Sequence, residues 1–121
     1  MTKILVIDDM PESAELAAVI LRNYGYEVVV AETGERGLQL ASETKPDLIV
    51  YDYWLADIDA RTFLKRLRST EGLEDTKVVV CTATPTEAVQ KVVGEHGFDG
   101  MIRKPYRVTG LLTTIESQLT S

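Results

Sequence analysis

A chain of 121 residues with 45% hydrophobic and 26% charged positions has the make-up of one ordinary globular domain, spanning 1–121, with a sizeable core. Its net charge of -6 argues against nucleic-acid binding by this domain and against attraction to anionic membranes. No apolar run has the length of a membrane span, the N-terminus reads as a strand, and the single cysteine rules out a disulfide framework, which together point to a cytoplasmic protein.

In chain order, the first strand is Lys3–Ile7, and it runs straight into Asp8-Asp9. A helix begins near Pro11, carries Leu16, Val19, Ile20 and Tyr24 at helical spacing, and stops at Gly25. A second strand, Glu27–Ala31, leads to a helix capped by Thr33 that contains Leu38, Leu40 and Ala41. The third strand, Asp47–Tyr51, ends in Asp52, and Asp59 caps a helix whose buried stripe is Phe63, Leu64 and Leu67. The fourth strand, Lys77–Cys81, precedes Thr82-Ala83, and Thr84-Pro85-Thr86-Glu87 has capping-box spacing for a fourth helix. The fifth strand, Asp99–Ile102, precedes Arg103-Lys104-Pro105, and a last helix runs from about Arg107 to Leu119.

Strand alternating with helix five times predicts an α/β three-layer sandwich of the flavodoxin-like kind. Its five parallel strands would lie in the order 2-1-3-4-5 between five helices. In that order strands one and three flank the point where the winding reverses, so Asp8, Asp9 and Asp52 would converge beyond their ends. At roughly 5 Å and an effective dielectric of about 20, each pair of carboxylates costs on the order of 3 kcal/mol. Such a gathering calls for a hard divalent cation, most plausibly Mg²⁺, held through oxygen ligands. Thr82 adds a hydroxyl and Lys104 an ammonium at the same edge, which completes a phosphoryl-transfer set with one aspartate as nucleophile.

With those residues in view, the chain resembles a response-regulator receiver domain of two-component signalling, in its single-domain form, over essentially its whole length. The matching residues are Asp8-Asp9, Asp52 within Pro46–Asp52, Thr82-Ala83 and Lys104-Pro105, each at the expected strand end. The resemblance implies that Asp52 accepts phosphate from a phosphohistidine on a sensor histidine kinase or a histidine phosphotransfer protein. It implies that Asp8, Asp9, Asp52 and the backbone carbonyl of Trp54 bind Mg²⁺, and that Thr82 and Lys104 bind phosphoryl oxygens. It also implies a cis Lys104–Pro105 peptide, and an output through changed affinity for a downstream protein target rather than turnover of a metabolite. Receivers often pair through the face of helix four, strand five and helix five; the apolar residues there serve equally as core.

Four positions depart from the family's usual pattern. Leu55-Ala56 stands where Leu-Pro is usual, and Asp59-Ala60 where Asp-Gly is usual; both changes are mild. Met101 replaces the aromatic that moves with the threonine on phosphorylation, which weakens the expectation of that movement. Trp54 stands two residues beyond Asp52, where an indole would hinder the hydrolytic water and prolong the phosphorylated state.

Other polar residues have plainer readings. Asp57 and Asp59 read as loop and cap residues, and Thr84 as a cap. His96 reads as a solvated helix end, and Lys65, Arg66 and Arg68 as a wet helix face. Tyr51, Tyr53 and Tyr106 read as packing near the site, or as an aromatic rim. Two other functions stay open: a receiver-like module that binds proteins without phosphorylation, and a Mg²⁺-dependent aspartyl-phosphate phosphohydrolase. The hydrolase usually needs a second acid where Trp54 stands. A dinucleotide-binding role fails for want of a glycine-rich loop after the first strand.

Overall fold

A computed structural model describes residues 2–95 and 97–120, so the expectation for His96 lies outside the described residues. The elements follow as β1 (Lys3–Ile7), α1 (Pro11–Asn23), β2 (Glu27–Ala31), α2 (Gly34–Thr44) and β3 (Leu48–Asp52). After these come α3 (Ala60–Arg68), β4 (Lys77–Thr82), α4 (Glu87–Glu95), β5 (Gly100–Arg103) and α5 (Val108–Leu119). The five strands are all parallel and lie in the order β2-β1-β3-β4-β5, as the sequence predicts. This is the flavodoxin-like sandwich.

The central strands are apolar without interruption because both of their faces are covered. Ile4 and Val6 point into one core layer with Leu48, Val50, Val79 and residues of α1 and α5. Leu5 and Ile7 point into the other, with Ile49, Tyr51, Val78, Val80 and residues of α2, α3 and α4. That period of two assigns each residue to a layer. The register sets Ile7 beside Tyr51 and Asp52 beside Cys81, so the ends of β1, β3 and β4 are nearly level.

Three expectations need correction. In α1 the buried face is Ala14, Ala17, Ala18, Ile20 and Leu21, while Leu16 and Val19 are each 44% exposed and Tyr24 is exposed. Small side chains let the helix approach the sheet closely, with Ile20 and Leu21 completing the buried face, while Leu16 and Val19 turn to solvent. At α4 the capping side chain belongs to Thr86, whose Oγ1 accepts the Val89 N–H at 3.3 Å; Thr84 is not the cap. β3 and β5 start one residue later than predicted, after Asp47 and Asp99. Those two acids end their strands for a reason: Asp47 accepts the Lys3 N–H and Asp99 the Val78 N–H, each at 2.8 Å.

Other local expectations hold. Thr33 caps α2 by accepting the Arg36 N–H, and Asp59 caps α3 by accepting the Thr62 N–H. Gly25 takes φ +92 just past the end of α1, a conformation that favours glycine. Among the described residues no helix is long and apolar enough to cross a membrane.

Candidate functional site

The parallel topology brings every strand's carboxyl end to one edge of the sheet. At that edge the residue after β1 is Asp8, the last of β3 is Asp52, the last of β4 is Thr82, and the residue after β5 is Lys104. Ligand atoms from Asp8, Asp9 and Asp52 all lie within 4.8 Å of one another. Asp8 and Asp52 are buried; Asp9 is exposed.

Lys104 supplies the opposing charge. Its Nζ lies 2.7 Å from Asp8 Oδ2 and 3.7 Å from Asp52 Oδ2. Burial disfavours its charge, yet the Asp8 hydrogen bond and the nearby Cys81, Asp52 and Asp8 outweigh that and raise its pKa above the ordinary lysine value. Asp52 is pushed the other way. Burial, with the charges of Asp8 and Asp9, raises its carboxyl above the usual aspartate range, although Lys104 and the Trp54 N–H oppose this. The carboxylates outnumber the ammonium. Oxygen donors of this kind and number fit a hard divalent cation better than any softer metal.

The surrounding backbone fixes the acids. Asp8 Oδ1 accepts the Met10 N–H at 2.9 Å, and Asp52 Oδ1 accepts the Trp54 N–H at 3.2 Å. The Tyr53 N–H reaches across to the Cys81 carbonyl. Thr82 is fully buried, its Oγ1 accepts the Thr84 N–H at 3.1 Å, and its carbonyl takes the Lys104 N–H at 2.9 Å. The Lys104–Pro105 peptide is cis, as the resemblance implies.

Family membership can now be decided. A model of the response regulator receiver domain matches residues 4–116. The chain belongs to that family. It is 35% identical over 120 residues to the DNA-binding dual master transcriptional regulator RpaA of Synechocystis sp., covering 98% of this chain and 49% of that protein. The chain spans about half the length of the first curated relatives it matches. A putative response regulator from Chloroflexus aurantiacus superposes with a TM-score of 0.92 at 28% identity, covering 99% of this chain and 98% of that one. The receiver domain of a Pseudomonas aeruginosa sensor histidine kinase, with a magnesium ion coordinated in its active site cleft, shares the fold. Its TM-score is 0.90 at 21% identity, over 99% and 98% of the two chains. The protein is thus a receiver domain of two-component signalling.

Within this receiver, the aromatic residues divide. Tyr51 is fully buried and stacked on Phe63 with ring centroids 4.2 Å apart. Tyr106 is also buried, donating to Cys81 Sγ at 3.1 Å, and burial raises the pKa of its hydroxyl. Cys81 is core, its thiol pushed up to about 12 by burial despite the Tyr106 hydroxyl. Only Tyr53 and Trp54 form a rim, edge to face at 4.8 Å, beside a groove of about 400 Å³ that Arg61 and Asp59 also line. Trp54 is 61% exposed.

Two residues exceed their sequence reading. Arg68 is half-buried and donates to the carbonyls of Leu73 and Thr76, tying the loop before β4 to α3. Asp57 reaches out of the β3–α3 loop to accept the N–H groups of Gly34 at 3.0 Å and Glu35 at 2.9 Å. The Asp57 link does not show in local spacing, because its partners lie 23 and 22 residues away. Arg66 lies on the wet face as predicted and there forms a two-pronged ion pair with Glu35 of α2.

Proposed function

We propose that Asp52 accepts a phosphoryl group from a phosphohistidine on a sensor histidine kinase or a histidine phosphotransfer protein. The observation that carries this reading is the convergence of Asp8, Asp9 and Asp52 within 4.8 Å, with the Lys104 ammonium against two of them. An Asp52 oxygen attacks phosphorus, the bond from phosphorus to the donor's imidazole nitrogen breaks, and that nitrogen leaves with the bonding pair. Asp8, Asp9, Asp52 and the Trp54 carbonyl would hold Mg²⁺, which when bound neutralises charge on the phosphoryl oxygens.

The chain's own groups complete the site. Lys104 keeps a positive charge beside Asp52 and can follow the phosphoryl oxygens as they arrive. The Thr82 hydroxyl, at the end of the neighbouring strand, donates to another of those oxygens. Phosphorylation then shifts the receiver between two states of different affinity for a downstream protein. Residues 1–121 act as one such domain.

Incubation of the chain with Mg²⁺ and phosphoramidate or acetyl phosphate tests this. Intact-mass measurement should show one added phosphate, lost without Mg²⁺ and lost in Asp52→Ala. The absence of any adduct on the parent chain would overturn the proposal.

A further inference from the structure

We propose, on the reading of the acidic cluster as a Mg²⁺ site, that Asp57 is a positioning residue that holds the β3–α3 loop, and with it the Trp54 carbonyl, in place for the cation.

The starting point is the N-terminus of α2. A helix leaves the N–H groups of its first turn without partners inside the helix. Here Gly34, Glu35 and Arg36 find partners outside it, before Gly37 makes the first bond of the helix itself. Gly34 and Glu35 donate to the two oxygens of Asp57, Arg36 donates to Thr33 Oγ1, and Gly37 donates to the Thr33 carbonyl. Thr33 is the helix's own cap; Asp57 comes from another loop. The negative carboxylate also sits at the positive end of the α2 dipole. Burial works against the charge on Asp57, but the Glu35 and Gly34 N–H groups more than offset it and hold its carboxyl below the usual aspartate range.

The contact is close as well as polar. A Cβ on Gly34 would lie 2.6 Å from Ile58 Cγ1 and 2.8 Å from its Cδ1, so only glycine lets the loop seat against the helix. The Tyr51 hydroxyl, anchored in the core, donates to the Ile58 carbonyl at 3.3 Å. At the other end of the same loop, the Tyr53 N–H is fixed to the Cys81 carbonyl and the Trp54 N–H to Asp52. Leu55 is buried between these two anchors. The loop therefore has one clamp at Asp52 and a second at Asp57, with the Trp54 carbonyl on the span between them. Groups that orient a metal's ligands from outside the coordination sphere are worth tenfold or more in affinity.

The test is calorimetric titration of the full chain with Mg²⁺ alone, with melting temperatures measured beside it. Asp57→Ala should weaken Mg²⁺ binding by about tenfold, as losses of such outer groups do. Asp57→Asn, which keeps one acceptor oxygen, should fall between parent and alanine variant. Gly34→Ala pries the loop off without removing a polar group and should also weaken binding. Thr33→Ala removes a cap from the same helix end but touches nothing in the loop. It should lower the melting temperature and leave the Mg²⁺ affinity unchanged. Parent-like affinity in Asp57→Ala, or equal weakening in Thr33→Ala, would overturn the role given to Asp57 while leaving the metal site standing. No Mg²⁺ binding by the parent would overturn the metal reading itself, and the role of Asp57 with it. Should Asp57→Ala fail to fold, Asp57→Asn and Gly34→Ala answer the same question.

Discussion

Beside β1 and the β3–α3 loop, glycines of α2 meet side chains at contact, whereas the glycines of α4 and α5 face open space. On the first side Gly37 faces Ile7 so closely that a Cβ would lie 2.3 Å from its Cδ1, and Gly34 meets Ile58 in the same way. On the other side, Gly94 in α4 and Gly110 in α5 have nothing within 4 Å of where a Cβ would stand. Only Val89 and Val92 of α4 are buried, and a cavity of about 570 Å³ lies between β5 and α5, lined by Met101, Arg103 and Arg107 among others. Glycine has two uses here. By α2 it permits close approach; in α4 and α5 it costs helix stability with no packing return. The α2 side is held to one geometry, and α4 is tied down by few buried side chains.

This contrast can be broken by substitution. The largest effect should come from Gly37→Ala, because Ile7 is fully buried and cannot retreat: about 1–3 kcal/mol of destabilisation, read from urea unfolding. A neutral result would mean that the α2 side is less tightly packed than these distances say. Next is Asp59→Ala, which removes the α3 cap and should cost about 1 kcal/mol at neutral pH. The Thr62 N–H holds the Asp59 carboxyl below the ordinary aspartate range, so its stabilisation is present above that range and is lost as pH falls through the lowered value. Melting temperatures of parent and variant should therefore converge in acid; a gap that stays constant would assign the cap's effect to something other than its charge. The smallest effect has the opposite sign. Gly94→Ala should stabilise by about 0.5–1 kcal/mol, since the site is exposed and open. If it destabilises, α4 is not the slack element described.

Much of this could be read from the sequence, for identifiable reasons. Uninterrupted apolar runs ending in acids marked parallel strands, and Thr33, Asp59 and Gly25 marked helix ends, because those signals are local. The four strand-end groups could be placed together because parallel strands put their carboxyl ends at one edge and right-handed crossovers leave few strand orders. The face of α1 is caught only at Ile20, since three of its five buried positions are alanines and the larger Leu16 and Val19 lie on the other side. At α4, Thr84 and Thr86 both have cap chemistry, and only the backbone decides between them. Asp57 lies out of reach altogether, its partners being on a helix that meets its loop only in three dimensions, while the carbonyls that Arg68 binds lie near in sequence but carry no side-chain signal.

The sheet uses aspartate at both of its rims, and the two uses differ in kind. Asp47 accepts one backbone N–H and Asp99 another, with the Arg68 guanidinium also 3.7 Å from Asp99, so each finds its partners within the fold, and at Asp47 an uncharged acceptor of the same shape would serve nearly as well. Asp8, Asp9 and Asp52 face one another, and no neutral replacement reproduces what three charges in so small a volume can attract. A neutral acceptor at Asp47 would thus keep the start of β3 in place, whereas a neutral residue at Asp8, Asp9 or Asp52 would change the charge gathered at the other rim.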